Sequence, residues 1–366
     1  SRFWLSNFAR RFGISLRRKS NSKAEPIEVR LPKIKRWHAR LRRRLKRVDR
    51  SGTVDPVWGR WLPRNRLAVD QVPCNLRAGG DRTYDDKGAK RVWIAGSPAD
   101  DGKRFCTLVI IARAKGDPSK PRNGQPRIGI SDAEKAGWHP DVRVRFQKKA
   151  WADDELCEEH ANDELREATA DARTAGERSV TFFDNLSGQT TKEHKRACNH
   201  AGSDRHLLPT GTTGELMFID GGIGVRQKNL MGEEQDEWME KEGNLERWTT
   251  GPKEGGLQAW EKRVHVTQWA GLAWQKLCCG TETSSPYNFE GSARSLGMLM
   301  TIDGSGDDAI RVQGLTEPYS FTDADGGADG AESEVEEEPD EHADVEWEAD
   351  EEDDEVDEEE DEVEEA

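Results

Sequence analysis

RLAVDQVP (residues 66–73) decides how this chain is read. Leu67, Ala68 and Val69 run straight into Asp70, and Pro73 closes the run. A short apolar segment bounded by turn formers reads as a buried strand. Two later stretches repeat the pattern: SVTFFDNLSGQ (179–189) ends its apolar run at Asp184, and ELMFIDGGIG (215–224) ends at Asp220. A single aspartate after a strand is ordinary, because Asp suits turns and helix N-caps. Three that meet are another matter. Carboxylates about 4 Å apart repel by roughly 4 kcal/mol at an effective dielectric of 20, so either the three lie apart or a cation sits among them. Hard cations such as Mg²⁺ take carboxylate oxygens, and two of them ~3.5–4 Å apart serve phosphodiester cleavage. The 36 positions from Asp184 to Asp220 leave room for a helix, a strand and a turn.

The net charge of −16 hides its distribution. Residues 1–50 hold 18 Lys/Arg against 3 Asp/Glu, and 323–366 hold 27 Asp/Glu with no Lys or Arg, which leaves 51–322 at −4. A basic head suits nucleic-acid phosphates, which supply affinity with little sequence information. WLSNFARRFGISLRR (4–18) sets Trp4, Phe8 and Phe12 on one stripe, with Arg10, Arg11, Arg17 and Arg18 off it. KIKRWHARLRRRLKRV (33–48) sets Ile34, Trp37, Leu41, Leu45 and Val48 on a second stripe, with Pro32 as its helix start. Around it stand Lys35, Arg36, Arg40, Arg42, Arg43, Arg44, Lys46 and Arg47, which together with Arg10, Arg11, Arg17 and Arg18 are expected to contact DNA. A localisation signal or a membrane-surface helix is the alternative use of such a basic stripe. The acidic tail has almost nothing to bury and is expected to be disordered. It would compete with DNA, bind histones or other basic proteins, or simply solubilise the chain.

Between the charged ends, strands and helices alternate. RLAVDQV (66–72), RVWIAGS (91–97) and FCTLVIIARA (105–114) predict an antiparallel meander. A helix is expected over 150–173, a strand over 179–184, a helix over 190–202, a fifth strand over 205–209 and a helix over 225–241. That is an α/β order, the order of a ribonuclease-H-like catalytic core with a mixed five-stranded sheet. In it the first and fourth strands lie side by side, so Asp70 and Asp184 would converge.

The residues now carry a resemblance. The chain resembles the DDE superfamily endonuclease domain of mariner/pogo-like transposases, a protist and algal branch in particular. Asp70-Gln71-Val72-Pro73 is similar to the first strand-end motif of that family and Asp184-Asn185 to the second. Thr213 with Met217, Phe218, Ile219, Asp220 and Gly222 approaches the third, although Met217-Phe218 stand where the family has Gln-Pro. Lys228, eight residues past Asp220, matches a basic position of the family and is by that resemblance expected to contact DNA. The resemblance spans roughly residues 4–320 and implies four parts. Residues 1–50 would be a basic helical DNA-binding arm, the remnant of a truncated helix-turn-helix region, and 51–235 the catalytic core. A helical extension, 236–322, and the acidic tail, 323–366, would follow. It implies Asp70, Asp184 and Asp220 as catalytic residues and ligands of Mg²⁺ (or Mn²⁺), a nuclear protein, DNA as partner, and a homo-oligomer on DNA. The function implied is a transposase-like DNA endonuclease and strand-transfer protein. The alternative is a catalytically silent, domesticated relative that binds DNA or chromatin.

Other features point less far. His194, Cys198, His200 and His206 lie near one another in sequence, but at no spacing known for a zinc site. GGIG (221–224) is too short for a dinucleotide fingerprint and reads as flexible backbone beside Asp220. TIDGSGDDA (301–309) reads as a turn. Six cysteines without paired spacing, no signal peptide and no 18-residue apolar stretch predict a reducing, intracellular setting and no membrane.

Overall fold

The computed structural model describes residues 25–48, 54–75, 105–115, 131–146, 152–282, 284–315 and 317–327. The chain divides into a unit spanning Ser1–Gly327 and a second, Ala328–Ala366, that lies outside the described residues. Arg10, Arg11, Arg17 and Arg18 also lie outside them, as does the expected strand at 91–97.

Helix α1 (Ile27–Lys46) opens the described chain. Strand β1 (Arg66–Asn75) follows, then β2 (Phe105–Arg113). Helix α2 (Asp154–His160) continues through a π-helical turn at Ala161–Leu165 and leads to β3 (Ser179–Phe183). Helix α3 (Lys192–His200) precedes β4 (Ser203–Leu207). Helices α4 (Gly224–Met239) and α5 (Ala259–Cys279) complete the elements around the site.

The sheet runs β2–β1–β3–β4. Strand β1 is antiparallel to β2, with Leu67 opposite Arg113 and Cys74 opposite Cys106. It is parallel to β3, with Val69 opposite Phe183, and β3 is parallel to β4. The side-by-side placing of the strands at 66–72 and 179–184 is therefore as expected. The meander is not. The described residues hold four strands, and 105–113 takes the place beside β1 that the sequence order assigned to 91–97. Its antiparallel direction also differs from the third strand of a meander, which would run parallel to the first.

Alternation along β1 and β3 explains how one sheet serves two cores. Val69 and Phe183 point to one side and pack with Ala161, Leu165, Ala197, Cys198 and Ala201 from the α2–α3 layer. Ala68, Val72 and Phe182 point to the other side, into a larger core with Leu216, Phe218, Ile219 and Ile223. Burial on both faces is why these strands read as continuous apolar runs.

Helix α1 lies in that second core. Ile34, Trp37, Ala39, Leu41 and Leu45 are buried, and Trp37 meets Phe182 of β3 at 5.7 Å and His206 of β4 at 5.5 Å between ring centres. Ile34, Leu41 and Leu45 each contribute about 1.5–3 kcal/mol by their burial. The helix begins at Ile27, so Pro32 lies inside it and is not its start. Val48, expected on the stripe, is exposed, while His38 and Arg42 are buried. His38 is held by Tyr319 Oη (2.7 Å) and the Leu296 carbonyl (3.1 Å). Since a carbonyl only accepts, Nε2 carries the proton and Nδ1 accepts from the tyrosine. Burial lowers the His38 pKa to about 4, which keeps the ring neutral.

Candidate metal centre on the face of the sheet

Asp70 has the same parity on β1 as Ala68 and Val72, and Asp184 follows Phe183 with the parity of Phe182. Because Val69 is opposite Phe183, the two acids fall level on adjacent strands and on the same face. Asp220 reaches that face from the π-helical turn Ile219–Ile223 at the head of α4, whose Ile219 and Ile223 are fully buried. The turn depends on Gly222, whose φ of +141° is open to glycine and strained for other residues. A β-carbon there would also stand 2.7 Å from Tyr287 Oη.

The three acids run from the interior outward: Asp70 is buried, Asp184 half-buried and Asp220 exposed. Burial and then the charge of Asp220 push the Asp70 pKa up from 3.8 to about 7, with a further rise from Asp184. The protein around Asp220 and the charge of Asp184 raise the Asp220 pKa in turn. Asp70 and Asp220 stand within hydrogen-bonding reach of each other, the arrangement of two carboxyls that share a proton. Backbone N–H groups hold the two strand-end acids in place, Gln71 N donating to Asp70 Oδ1 (2.7 Å) and Asn185 N to Asp184 Oδ1 (2.6 Å). The Thr213 hydroxyl and the Lys228 charge act on Asp220 in the opposite sense, favouring its ionised form.

Asp204 shows what a structural acid in this sheet has instead. It accepts from Trp61 Nε1 (2.9 Å) and Arg178 (2.6 Å) and pairs with Arg60 at 3.1 Å. Burial opposes its ionisation, and Arg178 and Arg60 more than offset that, so its pKa falls. Among the described residues, the cation that acts on the cluster of Asp70, Asp184 and Asp220 is Lys228, through Asp220. Next to Asp184 in the chain, Asn185 Oδ1 is a buried acceptor without a hydrogen-bond partner. Hard carboxylate oxygens under mutual repulsion are a donor set whose chemistry fits a divalent cation. Among the described residues, no three His, Cys, Asp or Glu side chains stand at the spacing that cages a single ion.

Asp220 also lines an open cleft of about 470 Å³ with Arg226, Asn229, Arg311 and Gln313. None of these four stands in a motif that marks it as functional in the sequence. Arg226 had a local signal, two positions before Lys228 on the same helix; Arg311 arrives through tertiary contact and had none.

The basic residues of α1 divide into two groups. Arg42 donates to the Thr301 carbonyl (3.3 Å), pairs with Asp307 and stacks over Phe321 at 4.4 Å. Arg43 donates to the carbonyls of Gly326 (2.6 Å) and Gly327 (2.8 Å), Arg44 to His206 Nδ1 (2.5 Å), and Lys46 pairs with Asp323 at 3.2 Å. These four tie α1 to the rest of the unit. Arg36, Arg40 and Arg47 are exposed and Lys35 is half-buried. Arg30, which the sequence reading passed over, pairs with buried Glu215 one turn before Asp220's segment. The histidines considered for zinc have other surroundings: His194 packs edge-on against Phe183, and His206 lies between Trp37 and Phe182.

No protein-family model and no curated protein sequence matches the chain. Among solved structures it is similar to the Mos1 mariner paired-end complex with Mn, at 14% identity over 79% of this chain and 72% of that one, TM-score 0.39. It is similar also to the Mos1 strand transfer complex, at 14% identity over 78% and 71%, TM-score 0.36. A likeness this loose carries no functional argument. The chain's own residues carry it.

Proposed function

We propose that the chain is a divalent-metal-dependent DNA endonuclease and strand-transfer protein of the transposase kind, with Asp70, Asp184 and Asp220 as its catalytic metal ligands. The observation that supports this reading is that Asp70 and Asp184 fall level on one sheet face, with Asp220 near enough to Asp70 that the pKa of both Asp70 and Asp220 is raised. DNA as the substrate class rests on the resemblance of Asp70-Gln71-Val72-Pro73 and Asp184-Asn185 to the family's motifs. The Arg226–Arg311 cleft beside Asp220 and the exposed Arg40 and Arg47 of α1 are suited to phosphates.

Mg²⁺ or Mn²⁺, when bound, activates the attacking oxygen and offsets charge on the leaving one. The chain's part is positional. Gln71 and Asn185 N–H groups aim the two strand acids, and the Gly222 turn brings Asp220 to them. Thr213 and Lys228 keep Asp220 available as a carboxylate, and Arg226 and Arg311 hold the backbone of the strand to be cut.

A second reading has its own observation. The acids do not stand at the spacing of a formed ion cage, which favours the silent DNA- or chromatin-binding relative. Nicking of supercoiled DNA separates the two. The full chain should nick with Mn²⁺ or Mg²⁺, and Asp184→Ala should lose nicking while binding DNA as before. Nicking that survives in Asp184→Ala defeats the first reading. Binding without nicking by the unaltered chain supports the second. Nuclear placement, a homo-oligomer on DNA, and histone contact through 323–366 belong to the same proposal.

A further inference from the structure

Spacing in the sequence pairs none of the six cysteines, but the register of the sheet pairs two. Cys74 and Cys106 stand directly opposite each other on β1 and β2. Facing residues on antiparallel strands have α-carbons about 4.5–5.5 Å apart, inside the ~4.4–6.8 Å range of disulfides. Their side chains leave the same side of the sheet and are within hydrogen-bonding reach of each other. Both thiols are free. Cys74 is buried, its Sγ 3.9 Å from Met231 Sδ, whereas Cys106 is half-buried and the more exposed of the two.

We propose that Cys74 and Cys106 are a modification site, joined as a disulfide by a small-molecule disulfide oxidant such as oxidised glutathione. The Cys106 thiolate attacks one sulfur of the oxidant, forming a mixed disulfide and expelling one glutathione thiolate, which takes up the Cys106 proton. Cys74, losing its proton to solvent, then attacks Cys106 Sγ and expels the second glutathione, which takes up a proton in turn. One oxidised glutathione is reduced to two thiols, and two cysteine thiols are oxidised to one disulfide. The direction of attack follows from the shared proton. The hydrogen bond from Cys74 lowers the Cys106 pKa, while that same contact and then burial push Cys74 well up. The product staples β1, four residues beyond Asp70, to β2. None of this depends on the metal reading.

The test is peptide mapping of the full chain. After incubation with oxidised glutathione and alkylation of remaining thiols, a non-reducing digest should contain a 74–106 linked peptide that reduction splits, whatever adduct forms on the exposed Cys279. Cys74→Ala should arrest the reaction as a glutathione adduct on Cys106, and Cys106→Ala should leave Cys74 alkylatable after unfolding. A persistent adduct on Cys106 in the unaltered chain, or a Cys74 recovered unlinked, overturns the proposal. Cys106→Ala changes only a half-buried position, so it keeps the test valid if Cys74→Ala fails to fold.

Discussion

Replacing Asp70 by Asn removes a charge that the fold opposes. The Asp70 carboxyl holds its proton up to about pH 7 in the folded chain, against 3.8 ordinarily. The sign follows from linkage: where the folded state binds the proton more tightly than the unfolded state, stability falls as pH rises. The penalty is absent below the unfolded pKa, grows from about pH 4 to pH 7, and is constant above. Two pH units of that window, from 5 to 7, correspond to roughly 3 kcal/mol. An asparagine does not titrate, and its Oδ1 still accepts from the Gln71 N–H. The stability of Asp70→Asn relative to the unaltered chain should therefore rise by about 2–3 kcal/mol between pH 5 and pH 8, or roughly 5 °C in Tm. The assay is thermal unfolding of both chains in EDTA at the two pH values. Histidines titrating in the same range, His38 and His194 among them, cancel in the difference. Millimolar Mn²⁺ at pH 8 should then stabilise the unaltered chain and not the variant. A difference between the chains that is the same at pH 5 and pH 8 would refute the claim that this carboxyl is held against repulsion.

Three further outcomes are expected. Gly222→Ala forces a side chain onto a φ of +141° and against Tyr287, so it should lose about 1–3 kcal/mol of stability in urea unfolding and weaken metal-dependent nicking together. Arg42→Ala breaks a largely buried pair with Asp307 and should lose about 3–5 kcal/mol, whereas Arg40→Ala and Arg47→Ala should leave Tm unchanged. DNA binding should report the reverse for the two exposed residues, each lowering affinity and flattening its salt dependence by about one unit of slope in a salt titration.

The parts of the fold legible in the sequence were those where local pattern and global position agree. Strands β1 and β3 are apolar because both their faces are covered, and the ribonuclease-H-like order expected of the chain sets them side by side. With that adjacency, the meeting of Asp70 and Asp184 was readable before any side chain was placed. Asp220 was legible as an acid after an apolar run, yet its approach relies on a backbone kink at Gly222 that apolar periodicity does not encode. The place of 105–113 was misread because strand order in a meander is inferred from succession alone, while pairing is decided by tertiary packing. Helix α1 was misread for a similar reason. Its cations look solvent-facing when counted along the helix, but Arg42, Arg43 and Lys46 meet partners between Thr301 and Gly327, more than 250 positions away. Cys74 and Cys106 were invisible as a pair because register, not spacing, opposes them.

The central claim is that Asp70, Asp184 and Asp220 together hold a divalent ion. Titration of Mn²⁺ at pH 8, followed by the electron paramagnetic resonance of the free ion, tests it with no substrate present. The full chain should take up Mn²⁺ at a site lost or weakened at least tenfold in each of Asp70→Asn, Asp184→Asn and Asp220→Asn. Equal uptake by the unaltered chain and all three variants would place the ion elsewhere and contradict the account.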